Sequence, residues 1–209
     1  MLQTDSVEKV EKVSDTVDAV LMACGFSKRF GTDDKLLVPF RGKALARHTL
    51  DLVFSLSHLF NRIFFVAAND SVLALAQDLP FTVIKNENPE QGQRESIRLG
   101  VQNSCADYYL FFPCDQPLLD QDTVTKLIAA RKKGRIVQSF FQGNPGNPVL
   151  FSDVFRQELL NLGKGERGRD IIRRNPHALI TVELDRGEPL LDIDTPEMLK
   201  DLLKISFAE

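Results

Sequence analysis

The stretch DAVLMACGFSKRFGTDDK, residues 18–35, decides the fold because a short apolar run passes directly into a loop that contains Gly25 and Gly31. The run DAVLMA, residues 18–23, is short, apolar and followed by turn residues, which is typical of a buried β-strand. In an open α/β sheet, the loop after a parallel strand lies at the carboxyl edge, where ligands bind. This loop is therefore the first candidate for a functional site.

The charges of the same loop suit a phosphate ligand. Lys28, Arg29 and Lys35 can neutralise a triphosphate through charge-assisted hydrogen bonds. Two familiar nucleotide-binding loops are excluded, because five residues separate Gly25 from Gly31 where a P-loop has four, and the dinucleotide fingerprint GxGxxG is absent. A solvated turn with incidental charges is the alternative interpretation.

Short apolar runs alternate with segments of helical periodicity along the rest of the chain, which predicts a largely parallel sheet covered by helices on both faces. The predicted strands are residues 18–23, 62–68, 81–85, 107–113, 135–141, 147–152, 178–184 and 189–193. The predicted helices are residues 43–56, 70–79, 95–103, 120–134, 153–162 and 196–205, with a glycine-rich basic loop at 163–170.

Length and composition indicate one α/β domain over residues 17–209, after a charged extension of residues 1–16 to which we assign no function. The formal charge is -3, from 26 Lys and Arg against 29 Asp and Glu, so we expect no bulk attraction to nucleic acid or to a membrane surface. No signal peptide is recognisable, and we expect a cytoplasmic protein. Cys24, Cys105 and Cys114 form no CxxC pair, so neither a disulfide framework nor a zinc site is expected.

Three aspartates are candidates for a metal site. Asp115 follows the strand that ends at Pro113, where a carboxylate can hold Mg²⁺ together with water and phosphate oxygens. Asp192 and Asp194 are two residues apart, so within a strand both carboxylates would face the same side. A turn or cap role is the alternative, above all for Asp194, because DTPE is typical of a helix start.

Two further loops are candidates for ligand contacts. Gly92 precedes a predicted helix whose first amides could meet a base or ribose, with Ser96 as a hydroxyl donor. Lys164, Arg167 and Arg169 lie in a basic loop that we predict to be mobile and to suit a second anionic ligand. A plain helix start and a solvated basic turn are the respective alternatives.

Four separated motifs, in this order, resemble the family of molybdopterin nucleotidyltransferases, and the resemblance runs from about residue 17 to residue 205. The first motif, L-A-[AG]-G-x-S-x-R-x-G-x(2,3)-K, is matched by Met22, Ala23, Cys24, Gly25, Ser27, Arg29, Gly31 and Lys35. The others are G-x-x-x-S-[IL]-x-x-G at Gly92, Ser96, Ile97 and Gly100, C-D-x-P at Cys114, Asp115 and Pro117, and DIDTPE at residues 192–197.

The resemblance implies a three-layer Rossmann-like nucleotidyltransferase fold and transfer of CMP from CTP to the terminal phosphate of molybdopterin, with release of pyrophosphate. CTP is preferred over GTP because PCDQPLL, GNPVLF and GERGRD are more similar to the cytidylyl-transferring branch. Met22, Cys24, Arg94 and Asn147 depart from the residues usual in that branch.

The resemblance also distributes roles among the residues. Arg29 and Lys35 would hold the phosphates, and Mg²⁺ would be bound by Asp115 with Asp192 or Asp194. The nucleotide would be bound by Met22, Ala23, Cys24, Gly25, Ser27, Gly31, Gly92, Ser96, Pro113 and Cys114. The pterin side would be bordered by Asn147, Pro148, Lys164, Arg167 and Arg169. A molybdenum hydroxylase that receives the product is an implied partner.

Three other functions stay open from the sequence. A guanylyltransferase, or a nucleotidyltransferase that acts on a sugar phosphate or alcohol phosphate, would keep the same fold. A non-catalytic carrier or insertion chaperone for molybdenum cofactor is the alternative from another class. Against the carrier, Lys35, Asp115 and Asp192 occur together, a combination that a binding module does not need.

Overall fold

The computed structural model describes residues 15–24 and 34–204 as an α/β fold. Its strands are β1 (Val17–Ala23), β2 (Pro39–Phe40), β3 (Lys43–Ala44), β4 (Arg62–Ala67), β5 (Thr82–Lys85), β6 (Tyr108–Pro113), β7 (Ile136–Phe141), β8 (Asn144–Ser152) and β9 (Leu179–Glu183). Its α-helices are α1 (Leu45–Ser55), α2 (Asp70–Leu73), α3 (Gln93–Asn103), α4 (Gln121–Ala129), α5 (Arg156–Leu160), α6 (Gly168–Arg174) and α7 (Pro196–Lys204).

Seven strands form one sheet in the order β5-β4-β1-β6-β8-β7-β9, in which β8 runs antiparallel to both of its neighbours. The neighbouring pairs β5–β4, β4–β1, β1–β6 and β7–β9 are parallel. Strands β2 and β3 form a separate hairpin. The prediction of a mostly parallel sheet is therefore confirmed.

The pleat of β1 divides the core into two layers. Ala19 and Leu21 point to the face covered by α1, α2 and α4, whereas Val20 and Met22 point to the face covered by α3, α5 and α6. All four side chains are buried. Because both faces of the strand are covered by apolar side chains, polar groups that could bind a ligand lie beyond the end of the strand.

Strand β1 is also the switch point of the sheet. It pairs in parallel with β4 on one side and with β6 on the other, so the connections leave it in opposite directions. A crevice opens at such a point beyond the carboxyl ends of the strands. Cys24, after β1, and Asp115, after β6, lie at this edge.

The second half of the chain differs in places from the prediction. Residues 189–193 are not a strand: Glu188–Leu190 form a 3₁₀ turn that has Pro189 in its first turn, and Pro189 lacks the amide hydrogen that a sheet requires. The segment is still held at the sheet, because the amide of Ile193 donates a hydrogen bond of 2.9 Å to Asp115 O.

Helix α6 was missed, since residues 168–170 were assigned to the basic loop. Reciprocal bonds between Arg167 and Asp170 explain its start: the amide of Arg167 donates to Asp170 Oδ2 at 2.8 Å, and the amide of Asp170 donates to the carbonyl of Arg167 at 2.9 Å. The predicted helices 70–79 and 153–162 are shorter α-helices joined to 3₁₀ turns at Ala74–Ala76 and Asp153–Phe155. The predicted extension 1–16 lies outside the described residues as far as residue 14.

No helix in the described parts of the chain combines the length and the apolar character that a membrane crossing requires.

Close packing of α3 on β1 depends on Gly100. A Cβ atom at this position would overlap Val20 Cγ1 and would lie 3.0 Å from Val20 Cγ2. Val20 is fully buried in the central strand and has no space to move. Gly100, the last residue of the second motif, is therefore a packing residue that brings α3 onto the sheet.

We expect Gly100→Ala to lower the free energy of unfolding by about 1–2 kcal/mol, because overpacking outweighs the gain in helix propensity. Urea denaturation followed by circular dichroism measures this. Gly168→Ala is the matched control, because a Cβ there would lie 3.7 Å from Phe151 Cζ, which is ordinary contact. Equal stability of the two variants would contradict the packing role of Gly100.

Candidate active site

An ammonium group bridges three segments at the carboxyl edge of the sheet. Lys35 Nζ donates to Asp115 Oδ2 at 2.8 Å, to Asp194 Oδ1 at 3.1 Å and to the carbonyl of Ile193 at 3.2 Å. Lys35 begins a 3₁₀ turn whose N-cap, Asp34, accepts from the amide of Leu36 at 3.1 Å. The turn therefore aims the lysine across the crevice at the end of β6.

The environment keeps Lys35 charged. Burial, the largest influence, acts to lower its pKa, but the charge of Asp115 and the hydrogen bonds to Asp115 and Asp194 outweigh it, so the pKa is raised. The Lys35 side chain is 12% exposed and that of Asp115 is 22% exposed, whereas that of Asp194 is 52% exposed. The contact with Asp115 is thus the sheltered half of the bridge.

Asp192 belongs to the same cluster but has a different environment. Burial and then the negative charge of Asp115 raise its pKa to about 6, while the side chain of Gln116 acts in the opposite direction. Among the described residues, Asp192 Oδ1 and Asp115 Oδ1 are buried without a hydrogen-bond partner. Buried carboxylate oxygens without partners are costly, so these two atoms suit a cation.

The donor set fits one divalent cation held by a small number of protein ligands. The described ranges contain no group of three or more His, Cys, Asp or Glu residues arranged to hold a metal ion. Mg²⁺ does not require one, because it is usually bound by one or two carboxylates together with water and substrate phosphates. Asp115 and Asp192 supply such a pair, whereas Asp194 is directed at Lys35.

A second group of side chains lies on the other side of the crevice, around Cys24. Burial raises the pKa of the Cys24 thiol to about 11; a hydrogen bond with Ser96 and the charge of Arg167 act in the opposite direction, and the charge of Asp115 adds to the rise. Ser96 is fully buried in α3, and its hydroxyl accepts from Asn86 Nδ2 at 3.4 Å. Cys24 therefore lies beside Ser96, and Arg167 is near enough for its charge to act on the thiol.

Asn86 was not predicted as a site residue. It is buried directly after β5, where its amide donates to Ala67 O at 2.8 Å. The available signal was a polar residue that follows an apolar strand in the sequence TVIKN, residues 82–86. Such a residue at the carboxyl edge is a candidate by the same rule that selected Asp115.

The remaining nucleotide candidates line the same edge mainly with backbone. The Met22 side chain is buried in the core, and its carbonyl accepts from the amide of Cys114 at 3.3 Å. Pro113 is half-buried opposite Met22 in the β1–β6 register. Gly92 has φ +70°, a left-handed conformation that glycine adopts without strain, directly before α3. Gly25, Ser27, Arg29 and Gly31 lie outside the described residues.

The residues predicted for the second ligand fall into two groups. Asn147 and Pro148 lie in β8 next to Val149, which pairs with Phe111 near the end of the antiparallel β6, so they sit at the same edge as Asp115. Lys164, Arg167 and Arg169 are exposed.

The basic loop is held by its own acidic residue. Glu166 Oε2 accepts from the amide of Gly163 at 2.6 Å, and Glu166 Oε1 accepts from Arg174 at 2.5 Å. The assignment of residues 168–170 to a loop is therefore wrong, because they form the first turn of α6, and Glu166 ties the rest of the loop to that helix.

Comparison with known proteins gives concordant results. A family model described as "MobA-like NTP transferase domain" matches residues 19–179. A curated relative, the molybdenum cofactor guanylyltransferase of Shewanella sp. (strain W3-18-1), is 30% identical over 196 residues, with coverage of 91% of this chain and 97% of the relative.

Two solved structures are similar in fold. Rv0371c from Mycobacterium tuberculosis H37Rv superposes with a TM-score of 0.79 at 22% identity, over 91% of this chain and 99% of that chain. A structure of the same protein in complex with manganese superposes with a TM-score of 0.74 at 21% identity, with the same coverage.

The environments of the three thiols predict an order of alkylation. Cys105 is exposed and should react first with iodoacetamide, while Cys114 is fully buried. With a pKa of about 11, Cys24 is roughly 0.1% thiolate at pH 8, and its rate should rise about tenfold at pH 9.

Peptide mass spectrometry of timed samples measures the three rates, and the denatured protein supplies the reference rates. Labelling of Cys24 as fast as Cys105 at pH 8 would show that the Cys24 thiol is not sheltered as the geometry indicates.

Proposed function

The chain belongs to the family of MobA-like NTP transferase domains, and on that premise we propose that it transfers a nucleoside monophosphate from a nucleoside triphosphate to the terminal phosphate of molybdopterin. The observation that carries the proposal is the cluster of Lys35, Asp115 and Asp192 beside Cys24, at the switch point of the sheet. The choice of acceptor is supported by the curated relative, which is named a molybdenum cofactor guanylyltransferase.

The reaction needs positioning and charge neutralisation more than proton transfer. An oxygen of the acceptor phosphate attacks the α-phosphorus of the nucleotide. The bond from the α-phosphorus to the oxygen that joins it to the β-phosphorus breaks, and pyrophosphate leaves with that oxygen. The attacking phosphate is already ionised at pH 7, so no general base is required. Electrostatic stabilisation by residues already in place supplies most of the catalysis in reactions of this kind.

The proposal gives each charged residue a separate role. Lys35, sheltered and charged, would bind the phosphates of the nucleotide, and Asp115 and Asp194 hold it in place before the substrate arrives. Asp115 and Asp192 would hold Mg²⁺ through the oxygens that lack partners among the described residues. Bound there, Mg²⁺ would neutralise the negative charge that develops on the pyrophosphate.

The choice between GTP and CTP rests on two different observations. The name of the curated relative favours GTP, whereas the motifs PCDQPLL, GNPVLF and GERGRD favour CTP. Either base would meet Cys24 and Ser96 at the end of β1. The relative does not support the sequence prediction of CTP. The nucleotide donor is therefore to be identified by comparing GTP and CTP in the same assay.

The test of the proposal is pyrophosphate release by purified protein with Mg²⁺, molybdopterin and GTP, CTP or ATP in parallel. We expect release with GTP or CTP and a strong preference for one of them. Molybdopterin is omitted in one control and replaced by a sugar phosphate in another. No release with any nucleotide, together with tight binding of molybdopterin, would replace the transferase proposal by a cofactor carrier.

The aspartates predict a graded series of variants. Asp115→Asn should lower kcat about 100-fold or more, because it removes a metal ligand and the sheltered partner of Lys35. Asp194→Asn should lower kcat less than about tenfold, because the Asp194 side chain is 52% exposed and an exposed ion pair contributes little.

Thermal unfolding of both variants controls for loss of fold. Full activity of a folded Asp115→Asn variant would place the metal site elsewhere, and equal losses in the two variants would contradict the division of roles between Asp115 and Asp194.

A further inference from the structure

An arginine on α3 joins the two sides of the crevice. Arg94 donates through one terminal nitrogen to Gln91 Oε1 at 2.7 Å and through the other to the carbonyl of Leu162 at 3.2 Å. Gln91 directly precedes Gly92 on the nucleotide side, and Leu162 directly precedes the basic loop. The planar guanidinium thus spans two segments about seventy residues apart in sequence.

The basic loop runs from this anchor along α3 to Cys24. Leu162 is buried at the beginning of the loop, and a Cβ on Gly168 would lie 3.9 Å from Ile97 Cδ1 at its end. Between them, Arg167 lies close enough for its charge to act on the Cys24 thiol. Leu162 and Gly168 therefore fix the two ends of the segment that carries Arg167.

Arg94 makes hydrogen bonds to Gln91 and Leu162 but forms no ion pair among the described residues. Its Nε is buried without a partner there, and both terminal nitrogens are bonded to uncharged oxygens. The neighbouring carboxylate of Glu95 is instead paired with Arg98, which donates to it from Nε at 2.8 Å and from a terminal nitrogen at 2.6 Å. A partly buried guanidinium whose Nε lacks a partner among the described residues gains little stability from two neutral acceptors, and its arrangement is explained by a positional role.

We propose that Arg94 is a positioning residue that fixes Leu162, so that Arg167 faces the crevice and binds the phosphate of the acceptor. The inference rests on the proposed function, because the acceptor phosphate is the anion that Arg167 would meet. A lysine cannot replace Arg94 fully, since one ammonium on a flexible stem does not hold two acceptors in a fixed plane.

Limited trypsin digestion of the full chain tests the anchor without reference to activity. Lys164, Arg167 and Arg169 are trypsin sites, and cleavage there requires the loop to open locally. We expect Arg94→Gln to be cleaved at these sites about tenfold faster than wild type, and Arg94→Lys to be intermediate. Arg98→Lys is the matched control, because it removes the guanidinium that donates to Glu95 and Gln102 on the same helix, and Arg98 has no hydrogen bond to the loop among the described residues.

Steady-state kinetics then test the positional role. We expect Arg94→Gln to raise KM for molybdopterin about five- to tenfold, with KM for the nucleotide and kcat nearly unchanged, and Arg94→Lys to recover part of the loss. Thermal unfolding of each variant shows that the fold is retained.

Each outcome decides one of the claims. Cleavage of Arg94→Gln at the wild-type rate would overturn the anchor. Faster cleavage with unchanged KM for molybdopterin, or an equal rise in both KM values, would overturn the link to the acceptor. Absence of turnover by wild type would remove the proposed function, and the anchor would then be judged by proteolysis alone.

Discussion

The contact on which the site depends is the ammonium of Lys35 between Asp115 and Asp194. It joins residues 80 and 159 positions apart in sequence, and it does so beside the end of β6, where the Ile193 carbonyl provides a third acceptor. Lys35 and Asp115 are sheltered from solvent, so loss of either one would leave the other charge poorly compensated. The bridge therefore orients Lys35 before any ligand is present.

The sheet makes this bridge possible because of how β1 is placed. Its side chains pack against apolar residues on both faces. Its two neighbours, β4 and β6, run parallel to it, so all three strands end at the same edge of the sheet. Gly100 allows α3 to approach this strand closely enough for Ser96 to reach Cys24. The same helix carries Arg94, which donates a hydrogen bond to Leu162 O just before the basic loop. One helix thus contacts both Cys24 and the segment that leads into the basic loop.

Much of the architecture follows from local pattern. The alternation of strands and helices predicted the parallel core, because continuous apolar runs such as 18–23 and 107–113 are typical of strands that are covered on both faces. The pattern was misleading at residues 189–193, where an apolar run is held by hydrogen bonds at Asp115 without joining the sheet. Helix α6 was hidden because its N-cap is an arginine, which is an unusual capping residue.

The sequence by itself determined the fold class, placed the candidate site at the end of β1, and selected Lys35, Asp115 and Asp192 as candidates for its charged members. It could do so because the position of a residue at the carboxyl edge of a parallel sheet follows from local periodicity and chain direction. The tertiary structure alone decided how the carboxylates are used: Asp115 and Asp194 both accept from Lys35, while Asp115 and Asp192 each keep one buried oxygen without a partner among the described residues. It alone showed Asn86 beside Ser96 and Arg94 against Leu162, because contacts between distant segments depend on packing that no local pattern records.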